Sequence, residues 1–213
     1  MTSKAVAQRM TVVALLLGMT LLKTSCAKDW KEGRVGGKIY ICICQDTKVY
    51  LEVLLPQGTV RQIRETEVDA TGGANGIRQV QSCLEKPTVN SPNHAYVAGC
   101  TGDYSPYLIG SSPDLFFVQT MGTRETVFES RFSHEKVDGF LWSGNSDSIA
   151  ILTSSVHVSL NPRWWLYALS GHPKQFEKYR LEIVELQSHS HQGIELPYES
   201  SAGFGEIRGW SQM

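Results

Sequence analysis

No charge of one sign prevails in this chain. Its 213 residues carry 20 Lys plus Arg against 21 Asp plus Glu, a formal net charge of −1, so it has no field that would gather nucleic acid or an anionic membrane surface. Charged residues are scarce altogether, at 19 % where about a quarter is ordinary. Several chemical signatures are missing as well. No Cys-x-x-Cys occurs, which argues against a four-sulfur zinc site and against the redox motif of a helix start. No Gly-x-Ser-x-Gly elbow occurs, so no hydrolase nucleophile is marked. The glycine-rich stretch Thr71–Gly76 lacks both the Gly-x-Gly-x-x-Gly order and a following Gly-Lys-Ser, and reads as a surface loop instead of a phosphate cradle.

What is present first is an address. Lys4 and Arg9 precede the apolar run Met10 to Leu22, the n-region and h-region of an export signal. As a helix, that run would cover about 20 Å at 1.5 Å per residue, short of the roughly 30 Å hydrocarbon core of a membrane. Residues 1–25 are therefore expected to be a cleaved signal. Thr24-Ser25-Cys26 resembles the tail of a bacterial lipobox, which implies lipidation of Cys26, although Lys23 stands where that pattern has Leu. Ordinary cleavage after Ala27 is the competing expectation. Residues 26–37 then form a polar stem, and 38–213 the extracytoplasmic domain.

Five cysteines, Cys26, Cys42, Cys44, Cys83 and Cys100, become an even four once Cys26 is lipidated or removed. Cys42 and Cys44 lie in the alternating stretch Lys38–Cys44, so their thiols share one strand face. Two extended residues advance about 6.6 Å, at the edge of what a disulfide spans, so each is expected to pair elsewhere if it pairs at all. Cys83 and Cys100, both in turn-rich segments, make the expected bond. Metal is not expected.

The 19 glycines, with many Ser, Thr and Val residues, suit short strands and turns. Ile39–Cys44 and Lys48–Leu55 read as a hairpin, with Pro56-Gln57-Gly58 leading to a third run. Gly139–Ser143, Ser148–Leu152, Tyr179–Leu186 and Gly193–Leu196 read as successive strands. No repeat is visible over residues 59–105. Glu182 and Glu185 fall on opposite faces of their strand, which argues against a shared acid/base role; they are read as solvated or ion-paired residues of an exposed strand. His189-Ser190-His191 has a spacing that two ligands could use, but its polar flanks favour a turn.

The segment Trp142-Ser143-Gly144-Asn145-Ser146-Asp147-Ser148-Ile149-Ala150 resembles the TolB-like β-propeller repeat, with a second candidate at Ser111-Ser112-Pro113-Asp114 and the first strand of a further blade at Glu206–Ser211. That resemblance implies a tight Asp-containing turn, a Trp packed between blades, and protein partners. The expected fold is all-β, a small or incomplete propeller-like arrangement of antiparallel meanders, with a two-sheet β-sandwich as the alternative. The expected role is that of a lipid-anchored envelope protein acting as a binding or scaffold domain, with a periplasmic hydrolase as the rival. Its expected partners are envelope proteins, not nucleic acid; a lipid is its sole membrane contact, and no cofactor is expected. Trp164, Trp165 and Tyr167 are candidate recognition aromatics.

Overall fold

A computed structural model describes residues 35–44, 48–70, 88–102, 114–132, 135–158, 175–200 and 204–211, all within the unit Glu32–Met213. The alternating run around Cys42 forms β1 (Gly37–Cys44), which pairs antiparallel with β2 (Val49–Leu55). The turn at Pro56–Gly58 leads into β3 (Thr59–Ile63). Gly58 has φ +70 and donates its N–H to Leu54 O at 2.8 Å, a left-handed position that glycine occupies without strain. The six-residue helix α1 (Glu65–Ala70) follows.

A second sheet holds β4 (Thr88–Asn90), β5 (Tyr96–Thr101), β6 (Asp114–Thr120) and β7 (Thr126–Phe132), and a third holds β8 (Lys136–Trp142), β9 (Ser148–Val158), β10 (Gln175–Glu185) and β11 (Ser190–Ser200). In both, neighbours in sequence are neighbours in the sheet. The first sheet breaks that rule, because β12 (Phe204–Ser211) pairs with β1 and the order reads β12-β1-β2-β3. Glu206–Ser211 therefore opens no further blade: it supplies the fourth strand of the first one, where β1 offers a free edge. The result is an all-β, propeller-like set of three four-stranded meanders, in place of a two-sheet sandwich.

The third sheet lies between the other two, and its sequence says why. Ile149 and Ile151 face the second sheet together with Phe140, Trp142 and Val184, while Ala150 and Leu152 face the first with Leu141, Leu181 and Ile183. A strand covered on both faces reads as a continuous apolar run instead of an alternating one. In β8 a bulge between Val137 and Gly139 shifts the register, so Val137 and Phe140 share a face that strict alternation would deny them. Trp142 stacks on Tyr96 of β5, centroids 6.3 Å apart, and donates its indole N–H to Val89 O of β4 at 3.2 Å. Gly205 of β12 sits so close to Leu152 and Tyr179 that a Cβ would lie 2.6 Å from Leu152.

The same Ser-x-Asn turn stands at Ser143 and at Ser91 among the described residues. Ser143 N–H donates to Ser148 O at 2.9 Å, Ser148 N–H to Ser143 Oγ at 3.0 Å, and Ser143 Oγ bonds Asn145 Oδ1 at 2.7 Å, with Ser146 at φ 65. Ser91 N–H donates to Tyr96 O at 2.9 Å, Tyr96 N–H to Ser91 Oγ at 3.0 Å, and Ser91 Oγ bonds Asn93 Oδ1 at 2.8 Å, with His94 at φ 54. The second sheet therefore opens as the third does, and residues 59–105 do contain a repeat. Asn93 N–H donates to Ser146 Oγ at 3.0 Å, so the two turns touch. Of the other candidate, Ser111–Pro113 lie outside the described residues; Asp114 begins β6, and its carboxylate accepts from Val137 N–H at 2.9 Å.

Candidate functional site

Three buried carboxylates stand in mid-strand, each held by cations from its own or the neighbouring strand. Glu52 of β2, 2 % exposed, accepts from Arg61 Nε at 2.6 Å and lies 3.5 Å from Lys38 Nζ. The Arg61 hydrogen bond outweighs burial and, with the charges of Arg61 and Lys38, holds this carboxyl below its usual range. Asp138 of β8 pairs with Lys136 at 2.7 Å, but burial prevails over that ammonium and pushes the carboxyl up. Glu182 of β10 pairs with Arg180 Nε at 2.7 Å and with His191 Nε2. Of the two readings of this residue, ion-paired holds and solvated does not, for it is buried, with Gly193 opposite it on β11. With no Cβ there, the Arg180 guanidinium lies across Gly193; a Cβ would come 2.3 Å from Arg180 Nη2.

Next to this network the face of the third sheet that carries Ile149 and Ile151 turns polar. Ile149 and Ile151 give way to Thr153 and Ser155 along β9, and Val184 gives way to Glu182, Arg180 and Lys178 along β10. A cleft of about 160 Å³ opens there, lined by Glu135, Thr153, Ser155, Lys178, Arg180 and Glu195 together with Tyr179 and Leu196. The register shift between β10 and β11 at Lys178 and Arg180, where β11 carries the extra residues between Glu195 and Glu199, lies in its wall. Thr153 Oγ1 donates to Glu135 at 3.0 Å, and no histidine is among the described lining residues. Two acids and two bases on a paired sheet make a small, mixed-charge recess.

The second candidate place is the outer face of the first sheet. There Glu206, Cys42, Tyr50 and Ile63 form one row across β12, β1, β2 and β3. Val68 of α1 packs on Tyr40, Cys42, Tyr50 and Ile63. The Tyr50 hydroxyl donates to Glu65, a bond that holds the phenol above its ordinary value. Cys42 Sγ lies 2.8 Å from Cys44 Sγ, and Cys44 donates to Glu206 Oε2 at 3.8 Å. Arg208 pairs with Glu206 at 2.7 Å and reaches the Cys42 thiol. Burial, then the neighbouring Cys44, pushes Cys42 up to about 12. Cys42, Cys44 and Glu206 also offer three atoms within 4.8 Å of one another.

No family model matches the chain, and no curated protein matches it. Among solved structures it is similar to the β-propeller domain of Cps50 (Swd1) from Myceliophteria thermophila, at 9 % identity and a TM-score of 0.23, over 77 % of this chain and 57 % of that one. So slight a likeness says nothing about function.

Of the residues singled out from the sequence, Cys42 and Cys44 are free thiols brought together on one face, while Cys100 is disulfide-bonded, its partner outside the described residues. Cys26, Cys83, Trp164, Trp165 and Tyr167 also lie outside them. His189 is a turn residue at φ 51, and His191 begins to line β11 beside Glu182. The Glu182–Arg180–His191 network was not readable as a site, since its members are scattered among ordinary strand positions. Glu182 and His191 stand out separately, and Gly193 in mid-strand, a residue that marks close approach of another group, is the signal that joins them. Among the described residues no helix is long and apolar enough to cross a membrane.

Proposed function

We propose that this chain is an exported domain of the cell envelope, tethered by a lipid on Cys26, that binds an envelope protein. The observation that carries the binding reading is the size and charge of the cleft. At about 160 Å³ it falls well below the roughly 300–1,000 Å³ of sites that enclose a small-molecule substrate, so it takes a side chain or two of a larger partner. Glu135 and Glu195 facing Lys178 and Arg180 suit a partner segment that carries both signs of charge. The resemblance of Trp142–Ala150 to a TolB-like repeat supports a protein partner, although fold alone does not transfer function. Export is supported by the n-region and h-region before Cys26 and by the disulfide of Cys100, a bond typical of oxidising compartments.

Cross-linking in intact cells that express the full chain tests the binding reading. Envelope-protein adducts are expected, and Lys178→Glu, at the exposed cation of the cleft, should lower their yield at least tenfold without changing the amount of folded protein. Adducts unchanged by the charge reversal would remove the cleft as the binding place. Mass spectrometry of the same material reads the N-terminus: a lipid-bearing Cys26 is expected, and a chain that keeps Met1 would overturn export.

A further inference from the structure

Cys42 and Cys44 differ in surroundings although they share a strand face. Cys42 is fully buried beneath Tyr40, Tyr50 and Val68, whereas Cys44 sits half-buried at the rim with Glu206. Their Sγ atoms, 2.8 Å apart, are nearer than two tetrahedral zinc ligands, which at a Zn–S distance of about 2.3 Å stand about 3.8 Å from each other. They are closer to a disulfide, whose S–S bond is about 2.05 Å. The Arg208 guanidinium beside them also opposes a cation and favours a thiolate.

We propose that Cys42 and Cys44 form a thiol–disulfide exchange site for small disulfides, with Cys44 as the entry thiol and Cys42 as the resolving thiol. The Cys44 proton passes to the Glu206 carboxylate, and the thiolate attacks one sulfur of a disulfide RSSR. A Cys44–SR bond forms, the S–S bond of RSSR breaks, and RS⁻ leaves with the electron pair. Cys42 then loses its proton beside Arg208 and attacks Cys44 Sγ; the Cys42–Cys44 bond forms and a second RS⁻ leaves. The two thiols are oxidised by two electrons, RSSR is reduced to two thiols, and the two protons go to the departing thiolates. A buried thiol held as high as Cys42 stays protonated until its neighbour is activated, which sets the order of attack. The proposal stands on this cluster alone and does not depend on the compartment or the partner.

The test uses the purified full-length chain, equilibrated at a series of ratios of reduced to oxidised glutathione, quenched with acid, alkylated and digested with trypsin. The peptide Ile39–Lys48 contains Cys42 and Cys44 and no other cysteine. Its doubly alkylated form should give way to an unlabelled form two hydrogens lighter as oxidised glutathione rises. Cys42→Ser should stop at a glutathione adduct on Cys44, and Cys44→Ser should show an adduct only after unfolding. A wild-type peptide that stays doubly alkylated at every ratio, or that accumulates the adduct without closing, overturns the site. An adduct on Cys42 in folded Cys44→Ser as fast as that on Cys44 overturns the assigned order.

Discussion

Glu52 and Asp138 are both almost fully buried, yet their carboxyls shift in opposite directions. Glu52 has Arg61 and Lys38, and the Arg61 bond decides; Asp138 has the single ammonium of Lys136, and burial decides. The signs of their contributions to stability follow from linkage. A carboxyl held below its unfolded value stabilises the fold fully above that value, near 4.5 for Glu52, and the contribution fades as pH falls through the folded one. Glu52→Gln should therefore cost about 1–2 kcal/mol at pH 7, and the difference from wild type should shrink steadily below about pH 4. Urea midpoints across that range check it; a gap that stays constant to pH 3 would mean that shape, not charge, holds Glu52 in place. Asp138 works the other way: its ionised form opposes folding, and acid relieves it. Its pairing with Lys136 could be guessed from the i and i+2 spacing, but the balance depends on burial that only the packed sheets supply.

At the scale of an element, the recurrent turn carries more order than its length suggests. In each copy a serine hydroxyl caps the returning strand and an asparagine oxygen takes the turn amide, while a residue in left-handed backbone, His94 or Ser146, makes the reversal. Such a conformation costs a non-glycine residue about 1–2 kcal/mol, which the hydrogen bonds offset. Ser143→Ala removes the acceptor for Ser148 N–H and the donor to Asn145, both buried or partly so. It should lower stability by about 1–3 kcal/mol, and Ser91→Ala by a similar amount, read as a shifted urea midpoint with an unchanged slope. No loss from either would show that the second strands are held by sheet packing alone. The copy at Ser143 was legible because Trp142 and the apolar Ile149–Leu152 flank it. The copy at Ser91 was hidden, since Asn90 stands where the Trp would be, and Asn93-His94 perform the work of Asp-Gly with unlike side chains. The strands themselves were legible wherever one face is apolar, as in Lys38–Cys44 and Tyr179–Leu186. Why Cys42 and Cys44 meet each other could not be read, because the 6.6 Å advance along a strand says nothing about how far two side chains lean together.

At the scale of the molecule, the pairing of β12 with β1 decides whether the first sheet exists. The pairing buries Ile207 in the layer shared with the third sheet and brings Glu206 beside Cys42 and Cys44. Removing residues 204–213 should leave β1 with an open edge and abolish the cooperative thermal transition; a truncated chain that melts as sharply as the whole would show that the second and third sheets carry the stability themselves. The place of the thiol pair follows from this assembly and that of the cleft from the third sheet, and neither from a local pattern, which is why neither was marked by a motif. Pairing β1 with β12 also bears on the tempo of folding. Lys38 and Ser211, partners in register, lie at opposite ends of the folded sequence, and contacts so distant along a chain form late because the loop between them must be closed first. During synthesis β1 leaves the ribosome before every other described strand and β12 after them, so of the three sheets the first, begun earliest, is finished latest, and until then the nascent chain keeps one edge open.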